Sequence, residues 1–338
     1  MSAPRSGRPT AVAALGASIL ALAACGGSSH SPPPTISRAA TAPTPAVSEL
    51  ASAERPTAAQ FPSPGGRSLT QMAHLAQSGV QLGTATGTYT PGTRRFAFAL
   101  LDSANRFVYV PTALYLAPST SAPAQGPFLA PADSLAVPRR YQSQENEGPG
   151  GLKAIYASEV PLAHPGTYYV LALSRTQGGL IGATGEIQVA GTSPIPDVGQ
   201  RPPAIRTETL ADVHGEVSLL TTRQPPESMH SVSFAQVLGR RPIALLISTP
   251  ELCTSRVCGP VTDIVVSLQR EFPQIAFIHQ EVYVDNQPSR GLRPQLHALH
   301  LQTEPWLFTI DRHGVIAARL EGTFGVAEAR QALRAALR

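Results

Sequence analysis

Cys253 and Cys258 stand five residues apart in the run I-A-L-L-I-S-T-P-E-L-C-T-S-R-V-C-G-P-V-T-D-I. Apolar spacing changes there from strand-like to helix-like, so the pair falls at a strand-to-helix turn. Unpaired backbone N–H groups and the dipole at a helix N-terminus favour a thiolate on the first sulfur. The second cysteine lies about one turn further, roughly within disulfide reach. Two cysteines so placed serve either as a redox couple or as a structural clip. Closing so short a loop constrains the unfolded chain only modestly, which weighs against a pure clip.

The elements that must position this pair alternate β and α. Ile243 to Ser248 is a continuous apolar run, as expected of a strand buried on both faces. Val261, Ile264, Val265, Leu268 and Phe272 then recur at helical spacing, with Pro260 in the first turn, where its missing N–H matters least. Ile275–Ile278 reads as a second strand and Leu292–Leu301 as a helix interrupted early by Pro294. Trp306–Ile310 reads as a third strand. The turn D-R-H-G leads to V-I-A-A-R-L as a hairpin partner. Val326–Leu337 closes the order as a helix with Val326, Ala329, Leu333 and Leu337 inward.

The other end of the chain carries a targeting signal. Arg5 and Arg8 precede an apolar run from Ala11 to Ala24, shorter than the roughly 20 residues of a permanent membrane helix. Leu22-Ala23-Ala24-Cys25 resembles the lipobox of bacterial lipoproteins. That resemblance implies cleavage after residue 24, lipid on Cys25, and a chain held to the cell membrane on its oxidising, extracytoplasmic face. Residues 25–83, rich in Pro, Ser and Ala, read as a disordered tether, with a short helix within Leu69–Leu82. Residues 84–193 show short β-type runs. Phe96, Phe98 and Leu100 share one face, Phe107–Leu116 is a second β-rich stretch, and G-T-Y-Y-V-L-A-L-S and E-I-Q-V follow. Residues 117–151 read as a long loop. The expectation is an antiparallel β-sandwich with tyrosines as core residues. Residues 194–232 read as an irregular linker with a short strand at Glu216–Thr221, and 233–338 as the α/β domain.

Composition excludes some functions. The 338 residues carry 26 Lys and Arg against 22 Asp and Glu, a formal charge of +4, and Lys153 is the one lysine. No arginine stripe forms, so no nucleic-acid partner is expected, and no motif calls for an organic cofactor.

The order β-α-β-α-β-β-α, with cysteines after the first strand and Thr303-Glu304-Pro305 before the third, resembles the thioredoxin fold. The phrase H-P-G-T-Y-Y-V-L-A, His164 to Ala172, likewise resembles a late strand of an immunoglobulin-like domain. The expected fold class is therefore an immunoglobulin-like antiparallel β-sandwich followed by an α/β thioredoxin-like domain. With the lipobox, the arrangement is similar to a group of actinobacterial thioredoxin-like lipoproteins. The resemblance implies a cis bond at Pro305, a Cys253–Cys258 disulfide in the oxidised state, and thiol–disulfide exchange with an extracytoplasmic protein partner. Cys253 would attack, Cys258 would resolve, and Pro305 would shape the docking groove. The C-x4-C spacing, with Gly259-Pro260 after the second cysteine, departs from that family's C-x-x-C.

Other readings compete. T-P-E-L-C-T-S-R-V-C-G resembles the motif of peroxiredoxin Q enzymes, which makes Cys253 peroxidatic and Cys258 resolving. Copper chaperones of the superfamily pair two cysteines with a distant histidine, which makes Cys253, Cys258 and His300, with His297 one turn earlier, a candidate Cu(I) set. A non-catalytic surface binding lipoprotein with a structural disulfide is the alternative from another class. Asp263 is a candidate buried acid, though a solvated helical carboxylate is the plainer reading. Glu304 and Arg256 are candidate modulators of Cys253. Trp306 is expected as a buried strand aromatic, and Arg290 and Arg293 as surface-loop charges.

Overall fold

A strand with large apolar side chains on one face and small ones on the other can sit between two cores, and the run F-A-F-A-L-L is such a strand. The computed structural model describes residues 47–146 and 151–338. In chain order the helices are α1 (Val47–Ala53), α2 (Leu69–Ala73), α3 (Phe234–Val237), α4 (Cys258–Leu268), α5 (Pro294–Ala298) and α6 (Val326–Ala335). The strands are β1 (Gln77–Ser78), β2 (Gln81–Thr84), β3 (Gly92–Leu101), β4 (Thr112–Ala117), β5 (Gln125–Ala130), β6 (Ala132–Ser134), β7 (Ala154–Leu162), β8 (Gly166–Thr176), β9 (Gly179–Val189), β10 (Ile243–Ile247), β11 (Ala276–Gln280), β12 (Trp306–Ile310) and β13 (Ile316–Glu321). They form three sheets, ordered β1-β9-β8-β4-β5, β2-β3-β7-β6 and β11-β10-β12-β13. The chain is thus β-rich, with several sheets and short helices.

Phe96, Phe98 and Leu100 of β3 share a core with Leu114 and Leu116 of β4, Tyr156 of β7 and Val170 of β8, so the first two sheets face each other. Tyr89, Tyr109, Tyr156 and Tyr168 are buried core residues. All ladders in these two sheets are antiparallel except β1 on β9, which is parallel. The opposite face of β3 carries Ala97, and β7 presents Ile155 beside it. Both join Val261, Ile264 and Val265 of α4 and Ala329 and Leu333 of α6 in a second core. Small residues on that face let helices approach the sheet closely.

The third sheet is covered on both faces. Ala244 and Leu246 of β10 meet α4 and α6, while Ile243, Leu245 and Ile247 face Phe234, Leu296 and Leu299 on the other side. This double coverage is the reason β10 is apolar throughout. β10 runs parallel to β11 and antiparallel to β12, and β12–β13 is antiparallel. Trp306 is fully buried and stacks on Phe308 at 5.6 Å. The Glu304–Pro305 bond is cis.

Several expected boundaries are corrected. Residues 47–83 are not a disordered tether. Phe61, Leu69 and Met72 cover the outer face of β4 and β8, which is as apolar as the inner one. Arg175 donates to the Gln60 carbonyl at 3.0 and 2.7 Å, and the Tyr115 hydroxyl donates to the Pro62 carbonyl at 2.7 Å. Helix α2 ends at Ala73, and β1 and β2 replace the remainder of the expected helix. The expected loop 117–151 contains β5 and β6, and the expected β-rich stretch 107–116 starts its strand only at Thr112. Residues 194–232 are not a loose linker. Ile195 and Ile205 enter the third-sheet core, and a 3-10 turn at Val217–Leu219 stands where a strand was expected. Pro294 opens α5 rather than interrupting it, and Leu337 points outward. The signal segment, Cys25 and residues up to 46 lie outside the described residues. Among the described residues no helix is long and apolar enough to cross a membrane.

The described residues, 47–146 and 151–338, belong to one compact unit. Polar pins add to the shared core. Asp133 of β6 accepts from Ala327 N at 3.0 Å and Glu328 N at 2.7 Å, capping α6, and Arg95 of β3 pairs with Glu328 at 2.7 Å. Gly322, with φ +69°, lies so close to Ala85 that an added Cβ would stand 1.8 Å from the Ala85 carbonyl oxygen. Gly322→Ala is therefore expected to cost at least about 1–3 kcal/mol in chemical unfolding, from overpacking and left-handed backbone together. An unchanged midpoint would show that this junction yields freely.

Candidate functional site

The loop Ser248–Val257 carries the chain from the end of β10 to the start of α4. Its middle, Thr254-Ser255-Arg256, is exposed and offers nothing to bury. The Arg256 N–H closes a turn on the Cys253 carbonyl at 3.0 Å, and Arg256 takes φ +57°. Helix α4 begins at Cys258 with Val257 as its cap. Gly259 is required at the next position, because an added Cβ would meet Glu145 Cβ and O, each at 2.8 Å. The glycine that follows Cys258 thus lets the backbone at Glu145 lie against the first turn of the helix.

Cys253 and Cys258 are both free thiols, so the expected Cys253–Cys258 bridge is not formed and the structure shows the reduced pair. Their surroundings differ sharply. The Cys253 sulfur accepts a hydrogen bond from the Cys258 thiol, lies 3.2 Å from Ser255 Oγ, and accepts from the backbone N–H groups of Cys258 and Val257. These donors, the Cys258 thiol foremost, outweigh burial and bring the Cys253 thiol down to about 5. Cys258 is fully buried. Burial, with its donation to the Cys253 sulfur and the charge there, pushes it well above an ordinary thiol. The pair therefore holds one negative charge at Cys253 and one proton at Cys258.

Thr303 and Glu304, just before the buried Pro305, line the same cleft of about 480 Å³ as Ser255, Arg256 and Val257. The far wall comes from the preceding sheet and its loops, including Thr84, Ala85 and Phe107. Burial and the charge at Cys253 both raise the Glu304 carboxyl. Tyr283 is raised by burial and by Glu304 and both sulfurs. Expected site residues Cys253, Cys258 and the segment preceding Pro305 are thus brought together. His297 and His300 are exposed and are not part of any such grouping. Cys253, Cys258 and His300 therefore do not form the Cu(I) set the copper-chaperone resemblance implied.

Asp263 is not a solvated helical carboxylate. It is fully buried and paired with Arg223 at 2.9 Å, and it accepts from Ser143 N at 2.9 Å. Arg223 also donates to the carbonyls of Tyr141, at 2.6 Å, and Pro225. Arg293, expected on the surface, is buried and donates to the carbonyls of Tyr283 and Leu219 at 2.8 and 2.9 Å. Arg290 is exposed and pairs with Asp285.

Behind the cysteine loop lies a polar cluster that sequence reading missed. Glu227 Oε1 meets His230 Nε2 at 2.6 Å and His279 Nδ1 at 2.7 Å. Among the described residues this is the one group of three His, Cys, Asp or Glu side chains whose ligand-type atoms lie within 4.8 Å of one another. His279 Nε2 faces Ser248, which shares a 2.9 Å hydrogen bond with Thr262 of α4, and Thr262 donates to the Cys258 carbonyl at 2.7 Å. Glu281 accepts from Thr222 N and Oγ1, both at 2.7 Å. Signal for this cluster was available only as scattered single residues, since Glu227 and His230 lie in a segment without periodicity.

No family model matches the chain, and no curated protein matches it.

Proposed function

We propose that this chain is an extracytoplasmic thiol–disulfide oxidoreductase, built as a thioredoxin-like α/β layer joined to an immunoglobulin-like β-sandwich and tethered to the membrane by lipid on Cys25. The observation that carries the reading is the asymmetry of the two sulfurs. Cys253 sits in the loop that leads into α4, with N–H, O–H and S–H donors aimed at it, and Cys258, the first residue of that helix, waits protonated behind it. A structural clip has no use for such a division of charge. A nucleophile and its resolving partner require it.

In this scheme the Cys253 thiolate attacks one sulfur of a partner disulfide and the other partner sulfur leaves as a thiolate that takes a proton from water. Cys258 then returns a proton to water and attacks Cys253 Sγ. The second partner thiolate leaves, and the Cys253–Cys258 disulfide forms. The partner is reduced by two electrons and this chain is oxidised by two.

Cys258→Ser leaves the first step intact and removes the second. The variant should accumulate a mixed disulfide through Cys253 with an extracytoplasmic protein, and Cys253→Ser should accumulate none. Equal absence of adducts in both variants would leave only a non-catalytic binding role.

A further inference from the structure

We propose that Glu227, His230 and His279 form a binding site for one divalent transition-metal ion, with zinc the best match to two imidazoles and a carboxylate. Three atoms from two parts of the chain converge: Nε2 of His230 and Nδ1 of His279 both point at Glu227 Oε1, at 2.6 and 2.7 Å. All three side chains are buried.

Backbone pairing produces the convergence. The His279 N–H donates to the Met229 carbonyl at 3.0 Å, which lays residues 227–230 along the free edge of β11. The three-residue step from Glu227 to His230 then places both next to the His279 ring.

Two of the three ligands, Glu227 and His279, also have the outer partner that a metal site needs. Thr221 Oγ1 donates to the second Glu227 oxygen at 2.9 Å. The second nitrogen of His279 lies 3.1 Å from the Ser248 carbonyl and 2.9 Å from its hydroxyl, which fixes the ring and leaves Nδ1 directed at the cluster. Glu281, two residues on from His279, accepts from Thr222 N and Oγ1 at 2.7 Å and so ties the start of the same segment to the end of β11. An ion replaces the two N–H protons now shared with Glu227, and the ligand atoms, now 2.6 and 2.7 Å apart, must part by roughly 0.7 Å to surround an ion at bonds of about 2.0–2.1 Å. Three protein ligands leave one tetrahedral position open. With the side chains buried, the ion's role is to fasten residues 221–230 to β11, and through Ser248 and Thr262 to support the first turn of α4.

The test uses the full chain with Cys25→Ser, Cys253→Ser and Cys258→Ser, so that no thiolate competes for metal. After stripping with a chelator, Co(II) alone is added as a spectroscopic stand-in for zinc. One ion per chain should survive gel filtration, with visible ligand-field bands and no thiolate charge-transfer band. His230→Gln should abolish uptake, and Thr221→Val, which keeps every ligand, should weaken it about 10–100-fold. A folded, stripped chain that takes up no Co(II), or uptake unchanged by His230→Gln, would overturn the proposal and leave a hydrogen-bonded cluster holding protons only. Should His230→Gln fail to fold, unchanged affinity in Thr221→Val would overturn it equally.

Discussion

Replacing Arg223 by methionine should lower the unfolding free energy by about 3–5 kcal/mol, the cost of stranding one half of a buried ion pair. Arg223 and Asp263 are both buried, 2.9 Å apart, and Asp263 lies on α4 one turn beyond Cys258. Loss of the guanidinium also orphans the Tyr141 and Pro225 carbonyls. The companion change Asp263→Asn keeps an acceptor for Ser143 N and removes the charge. The double variant should therefore recover a measurable part of the loss in urea unfolding. Additive losses would show that the pair contributes nothing as a pair.

The second large effect concerns reactivity. A thiol near pKa 5 is about nine-tenths ionised at pH 6, where an ordinary thiol at about 8.5 is ionised roughly three hundred-fold less. In the reduced chain, iodoacetamide at pH 6 should modify Cys253 nearly as fast as at pH 8 and leave Cys258 untouched. The Cys258 thiol is the largest contributor to the shift, so Cys258→Ala should move Cys253 upward and slow its alkylation at pH 6. Cys258→Ser retains a donor and should slow it less. Alkylation at pH 6 that is indifferent to Cys258→Ala would place the cause elsewhere.

Stability follows from the same shifts. The native Cys253 pKa lies below the unfolded value of about 8.5, so between pH 5 and that value the unfolded chain binds more protons. The stability of the reduced form from this group therefore rises with pH across that window and is lost as pH falls through about 5. Cys258 is shifted upward, so its contribution is present below about 8.5 and fades above. The oxidised form has neither dependence.

Local signals were strong where one periodicity governs one element. The run Ile243–Ser248, the helical spacing after Pro260 and the hairpin after Trp306 each became the expected element, because each buries a continuous or single-faced apolar set. The strand-to-helix turn that carries the pair was legible for the same reason, although the helix opens at Cys258 and leaves Cys253 in the loop before it. Residues 47–83 were misread because composition alone cannot show that three apolar side chains, Phe61, Leu69 and Met72, cap a sheet face. Strands β5 and β6 were hidden by Pro127 and Pro131, which sheet-edge positions tolerate. Arg223, Glu227, His230 and His279 carry no shared spacing. Their meeting depends on long-range pairing of residues 221–230 with β11 and α4, and no window of sequence contains it. Gly259 and Gly322 carry no signal of their own in the sequence, and their lack of a side chain serves close approach to Glu145 and Ala85.

The ionisation of Cys253 itself is the most direct measurement. Ultraviolet thiolate absorbance of the reduced Cys258→Ser chain and of the reduced wild-type chain, followed across pH, isolates it. The wild-type chain should show one thiolate appearing with a midpoint near 5 and the second only well above the ordinary range. Two thiols titrating together near 8.5 would contradict the division of charge on which the proposed activity stands.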